Sequence, residues 1–469
     1  LPRPPMKKSA VPDLSRRHFI GSSCCAAVGM TGLLSSLSSL RLIGAAAPAS
    51  DYKALVCLFL QGGNDANNLI IPTGADYAAY ATARSNLAVP QTGLLPLSPK
   101  TSDGRSFALH AAVPELQSLF SSGKAALLAN VGTLVYPTTK AQYTSSSVPL
   151  PPQLFSHNDQ QVQWQSSVPD KALGTGWGGR LADLVNAFNT NNQISMSISL
   201  AGTNFFQVGT SVSQYAVTTN GAVTFTGSTS GATSLNGVRY AAQKDIFSQA
   251  QPGLFDTAFA GISGGAITHG EFLNTVLAGA PTLATTFPAT GAGNQLKIVA
   301  RLISTAASLG LKRQIFFVQL GGWDTHAAQL DSTNPTAGTH AGLLSQISVA
   351  MNAFYNATLE LGLANNVTAF TASDFGRTYR SNGDGSDHGW GNHQIVVGGA
   401  VNGGDIYGKM PTLTINGPDD TAQGRWIPTT SVDEYAATLA TWFGVSSTDL
   451  PTVLPNIGRF AKPNLGFLA

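Results

Sequence analysis

Three acidic residues each stand just beyond an apolar run. Asp65 follows Ala54–Leu60, Asp324 follows Gln314–Leu320, and Asp374 follows Val367–Ala372. The chain has eight histidines, and three of them share these or similar places. His326 closes Asp324-Thr325-His326, while His388 and His393 lie in Asp387-His388-Gly389-Trp390-Gly391-Asn392-His393. Mixed carboxylate and imidazole ligands suit zinc, manganese or iron better than calcium. One such ion, or two about 4 Å apart, would clamp and polarise a phosphate or sulfate ester. The expected cofactor is therefore one or two divalent metal ions, with zinc first and manganese or iron next. Each residue also has a structural reading. A lone Asp at a strand end caps the following helix, and a lone His serves as a satisfied structural residue.

A second chemistry is written at Phe155-Ser156-His157-Asn158-Asp159-Gln160. A serine at a helix start gains from the amide ends, which lower the cost of an alkoxide. The competing reading is an N-cap, with Asp159 three residues on as in a capping box. Arg180, in Gly176-Trp177-Gly178-Gly179-Arg180, and Arg377, just after Asp374, each have two readings. A guanidinium can hold an oxyanion bidentately, or it can pair with a core acid. Other templates fail. The chain has no Gly-x-Ser-x-Gly elbow, no Walker-type phosphate loop, and no Gly-x-Gly-x-x-Gly after the first apolar run.

The elements that would position these groups alternate. The apolar runs at 54–60, 125–131, 314–320, 367–372 and 394–397 read as buried strands. Helix-like segments lie at 113–120, 296–309 and 340–363. Strands alternating with helices predict an α/β fold with a central, largely parallel sheet, whose ligands gather beyond the carboxyl ends of the strands. The last run, ending at Gly398-Gly399, is expected to join that set. Residues 188–290 are rich in Ser, Thr, Asn and Gly, and they predict a β-rich, cap-like insertion that shapes a substrate pocket.

Composition narrows the function classes. The 469 residues hold 43% hydrophobic and only 11% charged side chains, so the chain has material for a large core. The net charge of +2 misleads, because six of the bases and one acid fall within residues 1–50. The remainder is mildly acidic with no basic cluster, which argues against nucleic acid as a partner. Ser15-Arg16-Arg17-His18-Phe19-Ile20, an apolar stretch to Ile43 and the small residues Gly44–Ala49 resemble a twin-arginine (Tat) export signal. Residues 1–49 are therefore expected to be a cleaved signal handled by the Tat machinery, delivering residues 50–469 to the periplasm or outside the cell. No later stretch approaches 18 unbroken apolar residues, so no stable membrane span is expected there. Of three cysteines, Cys24 and Cys25 lie in the signal and leave Cys57 alone. That excludes an intrachain disulfide and a Cys-based zinc site in the exported chain.

Several motifs together resemble one family. They are Gln61-Gly62-Gly63-Asn64-Asp65-Ala66-Asn67-Asn68, Ser156-His157 with Gln160, and Gly176-Trp177-Gly178-Gly179-Arg180. Gly321-Gly322-Trp323-Asp324-Thr325-His326, Ser373-Asp374-Phe375-Gly376-Arg377-Thr378, Asp387-His388-Gly389 and Gly398–Gly404 complete the set. The pattern resembles the bacterial domain-of-unknown-function family 1501, over about residues 52–465. That family is similar to a distant branch of the alkaline phosphatase and sulfatase superfamily. The resemblance implies an alkaline-phosphatase-like sheet flanked by helices, two metals, and a nucleophile at a helix N-terminus. It also implies Asp65 as the first-strand ligand, Asp324 and His326 as a ligand pair, Asp374 as an acidic ligand of the other metal, and His388, then His393, as the late histidine ligand. Phe375 stands where the superfamily often has a histidine, so one ligand is missing there. The expected function is an exported metal-dependent hydrolase of small phosphate or sulfate esters. In it Ser156 attacks and Arg180 or Arg377 neutralises the non-bridging oxygens. The alternative is a secreted binding or assembly protein on the same fold.

Overall fold

Seven consecutive residues, Ala54 to Leu60, are wholly buried in the computed structural model, which describes residues 52–190, 193–249 and 252–469. Fully burying a Val, Leu or Phe side chain contributes about 1.5–3 kcal/mol, so this run is the natural centre of a sheet. It forms β1 (Lys53–Leu60). The other strands that matter here are β2 (Ala125–Gly132), β3 (Ser197–Ser199), β4 (Arg313–Leu320), β5 (Val367–Ser373), β6 (Arg377–Ser381), β7 (Ser386–His388) and β8 (Asn392–Gly398).

A ten-stranded sheet runs in the order 406–408, β2, β8, β5, β1, β4, β3, 215–218 and 221–222, with 430–431 also paired to β2. The pairs of β1 with β4 and β5, and of β3 with β4, are parallel. Leu60 lies level with Ser373 on one side and Leu320 on the other. The loops after β1, β4 and β5 therefore leave the sheet at one edge, side by side. This is the α/β fold with a largely parallel sheet that the sequence predicts. Strand β8 departs from the expectation, because it runs antiparallel to both β5 and β2. Gly398 consequently lies at the far edge, and the start of β8, with the Asp387-His388 hairpin before it, arrives at the edge where the three loops emerge.

Helices cover the sheet. Helix α1 (His157–Ser166) contacts β5, α4 (Gly291–Ser304) contacts β4 and α5 (Thr339–Glu360), and α6 (Val432–Phe443) contacts β1 and β2. Helix α6 begins with a capping box, in which Ser431 accepts the Glu434 amide hydrogen and the Glu434 carboxylate accepts that of Ser431.

The insertion at 188–290 corrects the β-rich expectation. It adds three short strands to the β4 edge of the sheet, but most of it is a helical pair, α2 (Leu235–Ser248) and α3 (Leu254–Ala278). Its Gly and Thr content hides helices that packing stabilises, since each Gly costs about 1 kcal/mol in a helix interior. Phe247 meets Phe259 edge to face with ring centroids 5.8 Å apart, and Glu271 accepts from Lys244 and Tyr240 at 2.8 Å each. Cys57 is buried in β1. The expected export signal over residues 1–49 lies outside the described residues. Among the described residues, no helix is long and apolar enough to cross a membrane.

Candidate metal centre

Asp324 is the hub of the strand-end cluster. Its Oδ1 lies 3.1 Å from His326 Nε2 and 3.3 Å from His388 Nε2, and its Oδ2 lies 3.5 Å from His157 Nε2. The two nitrogens His326 Nε2 and His388 Nε2 are 2.9 Å apart. These groups arrive from separate elements: the loop after β4, strand β7 and the head of α1. Gly62 makes the close approach possible. Its φ of +120° suits glycine, and a Cβ there would meet the Asp324 nitrogen at 2.4 Å.

The other ring nitrogen of each histidine is already committed. His157 Nδ1 donates to Asp374 Oδ2 at 2.7 Å, His326 Nδ1 to Asp387 Oδ1 at 3.1 Å, and His388 Nδ1 to the Phe155 carbonyl at 2.7 Å. A carboxylate or carbonyl accepts only, so each Nδ1 carries a proton and each ring, when neutral, turns its lone pair inward at Nε2. Metal-bound histidines are held in this way by outer acceptors. At 2.9 Å the two Nε2 atoms either share a proton or, when both rings are neutral, turn two lone pairs toward a common cation. Ligand atoms around a tetrahedral zinc ion stand about 3.3 Å from one another. Asp324, His388 and His157 offer ligand atoms within 4.8 Å of one another, with His326 Nε2 beside them, a mixed set whose chemistry suits a divalent ion.

Electrostatics follow the same layout. Burial alone would raise the Asp324 carboxyl, but the Arg377 hydrogen bond and charge, with His326 and His157, hold it below the usual carboxylate range. Burial acts likewise on Asp387, where hydrogen bonds from Asn382 and His326 prevail and lower it. The hydrogen bond to Asp374 raises the His157 imidazole above its ordinary value against the effect of burial. Burial depresses His388. The Phe375 ring packs against His157 and His388, with centroids 4.8 and 4.7 Å away.

Not every residue chosen from sequence joins the cluster. Asp65 is fully buried and salt-bridged to Arg84. Gln329 also donates to it, as does Asn67 Nδ2 at 3.0 Å. Asp374 reaches the cluster only through His157, and its oxygens also accept Gln161 Nε2 at 2.8 Å and the Gly62 amide hydrogen at 3.2 Å. His393 lies where β8 and β2 slip register, and its Nδ1 accepts the Asn130 amide hydrogen at 3.0 Å. Burial pushes its imidazole down to about 4. At this register slip His393 is buried against β2 rather than joined to the ligands.

Arg180 spends its guanidinium on the carbonyls of Val453, Thr175 and Ser166, at 2.7, 2.7 and 2.6 Å, so it holds backbone rather than an oxyanion. Arg377 does join the cluster. It donates to Asp324 Oδ1 at 2.6 Å, to the Gly62 carbonyl at 3.2 Å, and to the Ser386 carbonyl. Ser156 occupies the N-cap position of α1 without making a side-chain cap bond, and its Oγ donates instead to Asp159 Oδ2 at 2.7 Å.

His157 belongs to the cluster although its place in the sequence, beside Ser156, does not mark it as a ligand or proton carrier. One available signal is the polarity of α1. A helix that buries Gln160, Gln163, Gln165 and Ser166 against a sheet is placing polar groups for a reason.

Residues 265–446 match the family model described as "Protein of unknown function (DUF1501)". The match covers the Asp324, Asp374 and His388 motifs and stops short of those at Asp65, Ser156 and Arg180. Among curated proteins none matches the sequence. Among solved structures, the chain is similar to the C-terminal periplasmic domain of EcEptC from Escherichia coli in complex with Zn, at 12% identity, 90% of this chain, 94% of that chain and a TM-score of 0.36. It is also similar to the PsFucS1 sulfatase from Pseudoalteromonas sp., at 11% identity, 90% and 73% coverage and a TM-score of 0.35. A third is the soluble domain of lipooligosaccharide phosphoethanolamine transferase A from Neisseria meningitidis, at 8% identity, 88% and 95% coverage and a TM-score of 0.34.

Proposed function

We propose that this chain, whose residues 265–446 match the DUF1501 family, is an exported metal-dependent hydrolase of phosphate or sulfate esters. One observation carries the reading: two imidazole Nε2 atoms stand 2.9 Å apart beside Asp324, with both Nδ1 atoms bound elsewhere. Asp324, His326 and His388 would hold the ion, zinc by preference, and the ion would polarise the ester and take up charge from its oxygens. His157 stands apart from that triangle, because it addresses the other oxygen of Asp324 and is oriented by Asp374. It serves as the proton carrier, as imidazoles oriented by a carboxylate do. Arg377 fixes the Asp324 carboxylate.

Ser156 supplies the nucleophile in this scheme. Its hydroxyl already donates to Asp159, the geometry of a hydroxyl beside its proton acceptor. In this scheme His157, oriented by Asp374, enters the cycle as the imidazolium. Oγ attacks phosphorus or sulfur, the bond to the leaving oxygen breaks, and the Ser156 proton passes to Asp159. The leaving alkoxide takes the proton from His157 Nε2. Water then cleaves the Ser156 ester, giving one proton to His157 while Asp159 returns its own to Oγ.

The test is a zinc titration of the purified chain followed by a screen of aryl phosphates and aryl sulfates, with His388→Ala as control. Zinc uptake by the natural chain, lost in the variant, together with zinc-dependent turnover of one ester class, is the expected result. Zinc uptake without turnover of any ester would favour the second reading, a secreted binding protein. No uptake would refute the metal reading.

A further inference from the structure

The family resemblance implies two metals, and the acids it offers beyond Asp324 are Asp65 and Asp374. Their surroundings do not fit a second ion. Asp65 and Arg84 form a salt bridge in which both side chains are 0% exposed. Nε and Nη1 of Arg84 are also bound, to Asn68 Oδ1 at 3.1 Å and to the carbonyls of Thr378 and Tyr379 at 3.0 and 3.1 Å. Its guanidinium lies 5.8 Å from the centroid of the Tyr379 ring. An arginine held on this many sides is a fixed cation. Both Asp65 oxygens are occupied, one by Arg84 and Gln329 and the other by Asn67. A second divalent ion would have to displace a buried guanidinium that has nowhere to go.

Asp374 is spent in the same manner, on His157, Gln161 and the Gly62 amide. The residue beside it, Phe375, offers no ligand atom, and its ring fills the space against His157 and His388. Asp65 and Asp374, both 0% exposed, are thus closed off by fixed partners, whereas Asp324, 44% exposed, stays open to the imidazoles beside its Arg377 contact.

The Asp65 pair is nonetheless tied to the cluster. Gln329 donates to Asp65 and accepts from Ser386 Oγ at 2.6 Å. Arg377 donates to the Ser386 carbonyl and to Asp324. A continuous run of contacts thus leads from Arg84 through Asp65, Gln329, Ser386 and Arg377 to Asp324.

We propose that the chain holds one metal ion, at Asp324, His326 and His388, and that the Arg84–Asp65 pair stands in place of a second. Asp65 is then a positioning residue that acts through Gln329, Ser386 and Arg377 on the one acidic ligand. This inference rests on the metal reading under Proposed function and deepens it.

The experiment counts zinc on the full-length chain by native mass spectrometry and calorimetry, without reference to turnover. The natural chain should bind one zinc. Asp65→Asn should still bind one, with affinity lowered less than about tenfold, at or below the mild end of outer-shell changes. His388→Ala should lose at least about a hundredfold in zinc affinity, more than outer-shell changes typically cost. Should Asp65→Asn fail to fold, cobalt on the natural chain decides instead: one equivalent should saturate its visible absorption at tetrahedral intensity, whereas a second equivalent taken up with a new band would overturn the proposal. Two zinc ions on the natural chain, or none on Asp65→Asn while His388→Ala keeps one, would also overturn it. No zinc on the natural chain would refute the metal reading itself, and this inference with it.

Discussion

Arg84→Met isolates a charge pair with no solvent exposure on either side. The substitution keeps roughly the length of the side chain and removes the guanidinium. It leaves the Asp65 carboxylate buried with only Gln329 and Asn67 as side-chain donors. Breaking a buried ion pair by removing one partner costs about 3–5 kcal/mol. With about 420 folded residues and about 2.1 cal/mol/K of unfolding entropy per residue, a loss of about 4 kcal/mol lowers Tm by about 4–5 °C. The loss should depend on pH in a stated direction. Burial would raise Asp65, but the charge of Arg84 prevails and holds it below the ordinary carboxylate range. Its contribution in the natural protein is therefore present above the unfolded value of about 3.9 and is lost as pH falls through the folded value. In Arg84→Met the carboxyl rises, so the deficit should be greatest at neutral pH and shrink toward about pH 4. Urea unfolding followed by far-ultraviolet circular dichroism measures both effects. The double variant Arg84→Met/Asp65→Asn completes the cycle, and its coupling should be about 2–3 kcal/mol. A single-variant loss below about 1 kcal/mol, against the range for a buried pair, or strict additivity in the cycle, would refute the view that this pair is a fixed internal counter-ion.

Three other outcomes follow from the geometry. Asp374→Asn should keep zinc stoichiometry while lowering kcat by about 10²–10⁴-fold, the range for a misoriented proton carrier; an unchanged kcat removes His157 from the mechanism. Ser156→Ala should abolish turnover yet cost less than about 1 kcal/mol in urea, because Ser156 makes no side-chain cap bond; retained turnover excludes it as nucleophile. Asp433, buried near the start of α6, has its carboxyl raised by burial to about 8. The folded chain then binds more protons than the unfolded one between about pH 4 and 8, so stability should fall as pH rises across that window, by at most about 1.4 kcal/mol per pH unit. Asp433→Asn should flatten that slope, and an equal slope in both proteins contradicts the assignment.

The alternation of apolar runs with helix-like segments is enough to predict the layered α/β architecture and the edge at which its acids gather. Burial of a continuous apolar run is a local property, legible in the order of residues. That order alone brings Asp324, His326, Asp374 and His388 near one another. The helical pair at 235–278 is not legible, because its glycines and threonines argue against a helix locally and only the packing of α2 on α3 overrides them. Side-chain direction is equally hidden. Asp65 and Asp324 follow similar apolar runs, yet one is sealed against Arg84 and the other faces three imidazoles. That choice depends on Arg84, Gln329 and Ser386, which are distant from one another in sequence. His393 is lost as a ligand because, at the register slip between β8 and β2, its ring accepts the Asn130 amide hydrogen, a matter of pairing between distant strands. Ser156 and His157 are neighbours, but the turn at the head of α1 decides which of them reaches Asp324. Local residue order therefore sets which residue types collect at one edge of the sheet. Which of them meet is set by pairing across the fold, which fixes the direction of each side chain and the partner that Asp65, Asp374 and Asp324 each find.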